Sequence, residues 1–156
     1  LNLNEFLRFD VTPEWLKNRW PAASAVPGED SLAGIRVPLV SGPRAQDIHG
    51  SLTYFFDSQQ QVQRIGFRGW TGDPSELVNF VQQQGFSRQK STGAGLFTKS
   101  SWGSYKGALR VDHPPLSKPE LPTEQFMVLL ELINPAGNFA LSRRTQDILE
   151  AMEEQK

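Results

Sequence analysis

The side chains that could do chemistry in this chain are few. There are two histidines, His49 and His113. His49 comes shortly after Asp47, where an apolar stretch begins, and His113 directly follows Asp112, where one ends. Neighbouring residues on a strand point to opposite faces, so Asp112 and His113 diverge. Neither histidine is read as half of a preformed acid–base dyad, and each is expected at the surface of a strand end. Metal sites need ligands at converging spacing, and none is present. Asp57 reads as a turn initiator and Asp73 as a helix cap, while Glu150, Glu153 and Glu154 read as a solvated helix face. The chain has no cysteine, which removes thiolate nucleophiles, disulfides and zinc–sulfur sites together.

Gly66, Gly69, Gly72, Gly93 and Gly95 fall in turn-like contexts without the Lys-Ser/Thr that completes a phosphate cradle. No Gly-x-Ser-x-Gly turn exists, and Ser101-Trp-Gly-Ser-Tyr105 lacks its first glycine. The expectation is therefore a chain with no catalytic residue, no metal and no cofactor.

What remains is aromatic and basic. Trp70 stands in Arg68-Gly-Trp-Thr-Gly72 and Trp102 in Ser101-Trp-Gly103. A tryptophan in a glycine-rich turn can stack on a sugar, a peptide or a base. Arg64, Arg68 and Arg110 sit on the polar faces of predicted strands. If those strands are neighbours, the arginines form a stripe fit for an acidic protein or a glycan. The structural alternative is that the tryptophans fold back as lids and the arginines pair with nearby carboxylates for little energy.

The formal charge is −1, from 16 basic and 17 acidic residues, so no global field draws the chain to nucleic acid. No apolar run approaches the length that crosses a bilayer. Leu, Ile, Val and Phe make up 41 of the 156 residues, which predicts a packed globule that needs no covalent staple. The chain begins at Leu1 rather than Met, so a removed signal peptide, a membrane anchor or a cloning choice is expected before it. A signal or anchor would put it in the cell envelope or outside the cell.

The elements that must position these residues follow from capping and alternation. Residues 1–9 are apolar enough to pack as an arm. Thr12-Pro13-Glu14 opens a short helix with Trp15, Leu16 and Trp20 on its apolar side, stopped by Pro21. Residues 22–34 read as a loop. Residues 35–40 form an edge or irregular strand, because Pro38 cannot donate to a ladder.

Leu52, Tyr54 and Phe56 alternate, then a turn at 57–61 leads to Ile65 and Phe67 on a half-buried strand with a basic outer face. Asp73 caps the next helix, with Pro74 first in it and Glu76 closing a capping box. Leu77, Phe80 and Val81 are its buried stripe and Gly85 is its end. A hairpin of residues 95–99 and 108–112 follows, then a proline-rich link at 114–122. The run 126–133 favours a strand covered on both faces, with a helix from Thr123 as the rival. A last amphipathic helix spans 142–154, with Ile148, Leu149 and Met152 on one side and acidic residues that make its end fray.

Written coarsely, residues 10–68 and 73–134 are tandem α-β-β-β halves, and 142–154 is a final helix, within a single compact domain 1–156. The fold class is α+β: an antiparallel sheet of five to seven strands with helices mainly on one face.

The block Arg36-Val-Pro-Leu-Val40, with Gly50-Ser-Leu-Thr-Tyr-Phe-Phe-Asp57 and Gln61-Val-Gln-Arg-Ile65, resembles a bacterial family catalogued as a domain of unknown function. Over residues 10–68 the chain is also similar to small lipoproteins that assist outer-membrane assembly, though it lacks their lipobox cysteine. It is similar as well to tandem helix–sheet modules of the β-lactamase-inhibitor-protein type. Those likenesses imply surface binding without a catalytic centre. The resulting expectation is a non-enzymatic binding or structural module that uses its open sheet face and the turns bearing Trp70 and Trp102. The rival is an enzyme or small-ligand carrier with a cavity between sheet and helices, lined by Tyr54, Tyr105 and an arginine. Self-association through a strand edge or the last helix is a further option, and the oligomeric state is open.

Overall fold

The computed structural model describes residues 2–90, 94–113 and 125–153. Among them the chain forms helices α1 (Leu3–Phe6) and α2 (Pro13–Arg19), then strands β1 (Ser24–Pro27), β2 (Ala33–Val40), β3 (His49–Phe56) and β4 (Val62–Thr71). Helix α3 (Ser75–Gln83) precedes strands β5 (Ser87–Gln89), β6 (Ala94–Ser101), β7 (Ser104–Asp112) and β8 (Phe126–Ile133), and helix α4 (Arg143–Glu153) ends the series. The proline-rich link at 114–122, Gly93, Thr123 and Glu154 lie outside the described residues.

The helices start and stop where side chains satisfy their orphan backbone groups. Thr12 Oγ1 accepts from the Trp15 N–H at 3.1 Å, with Pro13 in the first turn. Helix α3 begins one residue later than the sequence suggests. Asp73 Oδ1 accepts from the Ser75 N–H at 3.0 Å and from the Ser75 hydroxyl at 2.7 Å. The reciprocal bond expected of Glu76 does not form, because the Asp73 N–H already donates to Thr71 Oγ1 at 3.1 Å. At the far end Gly85 adopts φ +94°, Phe86 N–H reaches the Val81 carbonyl at 3.0 Å, and Gly85 N–H reaches that of Gln82 at 3.1 Å. Those two bonds are the left-handed helix ending that glycine permits.

The described strands form one antiparallel sheet in the order β1-β2-β3-β4-β8-β7-β6-β5. Each half of the chain contributes a meander, and the last strands of the two, β4 and β8, pair at the seam. The sheet has eight strands where five to seven were expected. The additions are the short edge strands β1, inside the stretch read as a loop, and β5. The two halves therefore each give a helix and four strands, not three. Pro38 fits because β1 pairs only with residues 33–36 of β2, so the side of β2 beside Pro38 has no β1 partner. The run 126–133 is an interior strand, bonded on both edges by β4 and β7.

One sheet face carries Val37, Leu39, Leu52, Tyr54, Phe56, Ile65, Phe67, Leu109, Val128, Leu130 and Leu132. These pack beneath Leu3 and Phe6 of α1, Leu16 of α2, and Leu77, Phe80 and Val81 of α3. The other face carries a smaller apolar set of Leu96, Ala108 and Ile133, covered by Leu141, Leu149 and Met152 of the α4 segment. Helices thus lie on both faces: α4 sits opposite the other three, since a second apolar face must also be covered.

The same division separates the tyrosines. Tyr54 is fully buried on the first face and donates to the Phe6 carbonyl. Along β7, Gly107 pairs with Lys99 and Tyr105 with Ser100, leaving Lys106 as the extra residue of a bulge. The bulge reverses the alternation and turns Tyr105 toward α4, where its hydroxyl donates to Glu153 at 2.8 Å. A cavity lined by Tyr54 and Tyr105 together is therefore not formed. The Tyr105–Glu153 bond also ties the end of α4 to the sheet, where the acidic residues alone predict fraying.

Candidate functional site

The site begins with a charged residue in an apolar strand. Glu131 lies in the middle of β8 and is buried. It accepts from the Ser142 N–H, from Ser142 Oγ at 2.8 Å and from Thr145 Oγ1 at 2.8 Å, so it receives the start of α4. Arg64, 1% exposed, stands beside it with Nε 3.7 Å from Glu131 Oε1. Arg64 Nη2 donates to the Ala140 carbonyl at 2.6 Å and to Asp30 at 3.2 Å. Glu29 accepts from the Arg143 N–H at 2.9 Å. Together these contacts dock the start of α4 over one half of the second sheet face.

The uncovered half is a concave hollow of about 820 Å³ beside α4. Its walls and floor come from β2, β3, β4, β8 and β7, with Arg144, Thr145 and Ile148 from α4. Register sets what it displays. Arg68 of β4 and Arg110 of β7 both pair with Leu129 of β8. Two strand spacings put their Cα atoms about 10 Å apart on one face. Arg36 lines the same hollow from β2. One register step along is a row in which Val40 pairs with His49, His49 with Trp70, and Trp70 with Met127. Among the described residues the exposed large hydrophobics are Val40, Trp70, Trp102 and Met127, at 61%, 40%, 102% and 46%. Trp70 and Met127 are direct neighbours and form an apolar shelf beside the arginines, while Val40 stands beyond His49, outside the lining of the hollow. The floor opens at Gly66, where an added Cβ would meet nothing nearer than the Leu130 carbonyl oxygen at 4.0 Å.

The electrostatics are one-sided. Arg110 is paired with Asp112 at 3.0 Å. Among the described residues, no carboxylate lies within ion-pair distance of Arg36, Arg68 or Arg144. Burial, and after it the charge of Arg144, pushes the Arg68 guanidinium below its ordinary pKa. Glu131, the other carboxylate at the hollow, is committed to Ser142, Thr145 and Arg64. A chain of net charge −1 thus gathers unpaired cations at one place.

The structure brings Arg68, Trp70 and Arg110 together in this hollow. Trp70 belongs to β4 itself rather than to a glycine-rich turn, because it pairs with His49 of β3 and Met127 of β8, and pairing with β8 runs on to Thr71. Arg64 shares their sheet face but is enclosed by the docked start of α4, with its donors spent on Ala140 and Asp30. Trp102 is fully exposed at the β6–β7 turn, with φ +54°. The length of β7 separates it from the Asp112 end of the hollow by about 25 Å.

His49 is an exposed member of the apolar row, and Asp47 turns instead to Arg44, accepting its N–H at 2.8 Å. His113 packs its ring 5.3 Å from Phe126. The reading from sequence missed Arg36, Arg144, Val40 and Met127. Arg144 carried a signal, since cations in a helix's first turn oppose its dipole. Among the described residues, no group of three or more His, Asp or Glu could hold a metal ion, and no helix is long and apolar enough to cross a membrane.

The model of a family of unknown function (DUF6690) matches residues 1–156, and the chain belongs to that family. No curated protein and no solved structure matches it.

Proposed function

We propose that this family member is a non-enzymatic binding module that takes an acidic protein segment on the open half of its second sheet face. The observation that carries the reading is the exposed apolar pair Trp70 and Met127 lying in one hollow with Arg36, Arg68, Arg110 and Arg144. Apolar contact area supplies affinity, and unpaired guanidinium groups supply selection for carboxylates. The hollow offers guanidinium donors, one indole and one imidazole; its carboxylates Asp112 and Glu131 are committed to Arg110 and to Ser142 and Thr145, and among the described residues no carboxylate hydrogen-bonds His49. A protein segment suits the surface better than a glycan, because an acidic glycan answers the cations but brings no aliphatic side chains for Trp70 and Met127.

The test is fluorescence anisotropy with a labelled dodecapeptide of alternating Glu and Leu. The intact chain binds it, binding weakens as salt is raised, and Arg68→Glu or Trp70→Ala weakens it at least about tenfold. Trp102→Ala leaves it unchanged. Equal binding by the intact chain and the Arg68→Glu variant would refute the reading.

A further inference from the structure

We propose that the acidic segment carries a phosphorylated side chain, and that its phosphate is held between Arg68 of the sheet and Arg144 of α4; the inference rests on the reading of this hollow as an anion-binding face. The two arginines reach the hollow from different elements, Arg68 from the middle of β4 and Arg144 from the first turn of α4. At the start of α4 the N–H groups of Ser142, Arg143 and Thr145 are answered by Glu131, Glu29 and Ser142. Its neighbour Arg143 has Asp147 at 4.0 Å. Arg144 has neither role and instead lines the hollow with Arg68.

Two guanidinium groups that line one hollow repel each other, and an anion bound between them relieves that repulsion. A carboxylate carries one negative charge and neutralises one of them. A phosphate monoester carries about −1.5 to −2 near neutral pH and neutralises both, with oxygens enough for a forked contact from each side. Arg36 and Arg110 stand at the flanks and add long-range attraction. The hollow's volume far exceeds a phosphate group, which leaves room for the segment that bears it, with its apolar residues on Trp70 and Met127.

The experiment uses the full chain and three labelled dodecapeptides of alternating Glu and Leu, identical except for phosphoserine, serine or glutamate at one central position. The phosphoserine peptide binds about tenfold tighter than the glutamate peptide, the size of one added charge-assisted contact. Arg144→Gln abolishes that preference, weakening the phosphoserine peptide about tenfold more than the glutamate peptide. Arg143→Gln, on the same helical turn but paired with Asp147, keeps the preference. Inorganic phosphate competes with the phosphoserine peptide more than with the serine peptide. Equal affinity for the phosphoserine and glutamate peptides, or a preference that survives Arg144→Gln, would overturn the phosphate site and leave the acidic-segment reading standing. Failure of all three peptides to bind would overturn both.

Discussion

Replacing Arg64 by methionine tests whether α4 is held by a buried polar network or by its apolar face alone. The side chain is 1% exposed, and its loss removes the cation beside Glu131 together with the bonds to Ala140 and Asp30. Breaking a buried pair by deleting one partner costs about 3–5 kcal/mol, because the remaining charge stays buried without its counter-ion. Glu131 keeps its bonds from Ser142 and Thr145, which places Arg64→Met near the lower end, about 3 kcal/mol.

In urea, with a slope of about 2 kcal/mol/M, the unfolding midpoint falls by about 1.5 M. Circular dichroism and tryptophan fluorescence should report the same shift. Adding Glu131→Gln to Arg64→Met removes the orphaned charge while an amide oxygen still accepts from the start of α4. The double variant should therefore recover about 1–2 kcal/mol of the loss. A cost under about 1 kcal/mol for Arg64→Met, or strict additivity of the two substitutions, would refute the idea that these charges act as one unit.

Gly66→Val adds a β-branched side chain where the floor of the hollow is open and strand propensity favours it. Thermal melting should show unchanged or slightly raised stability, while anisotropy shows lost binding of the Glu-Leu peptide. Tyr54→Phe leaves the buried Phe6 carbonyl without its donor and should cost about 1–3 kcal/mol in urea at neutral pH. Burial raises the Tyr54 pKa above its ordinary value near 10, so the folded state keeps the phenol protonated where the unfolded chain ionises. Stability from this group is complete below pH 10 and declines above it, and Tyr54→Phe should make the alkaline decline shallower.

Some of the site could be read along the chain, because the rules that reveal it are local. Alternation in Leu52-Thr-Tyr-Phe-Phe56 and Ile65-Gly-Phe67 marks the strands and assigns Arg64 and Arg68 to the outer face of one of them. The same logic extends to Arg36, which alternates with the inward-facing Ile35 and Val37. The fates of Arg64 and Arg68 then diverge for a reason outside their neighbourhood. Four residues apart on one face, one is sealed beneath the start of α4 and the other opens into the hollow. Glu131, a lone charge among leucines, hinted that some polar element must meet β8 there. The edge strands β1 and β5 were hard to read because short segments with exposed residues carry little alternation.

The amino-acid order by itself determined the capped helices, the hairpin of β3 and β4 and the absence of any cysteine chemistry, since each depends on composition or on residues within a few positions of one another. Only the tertiary structure decided that Arg68 and Arg110 flank Leu129, that Trp70 stands beside Met127, and that Arg144 meets them from a helix. Those neighbours are about 20–80 residues apart in the chain. Pairing at such separations is set by which apolar faces can be buried together, and a bulge at Lys106 or the docking of α4 can redirect a side chain without altering any local pattern.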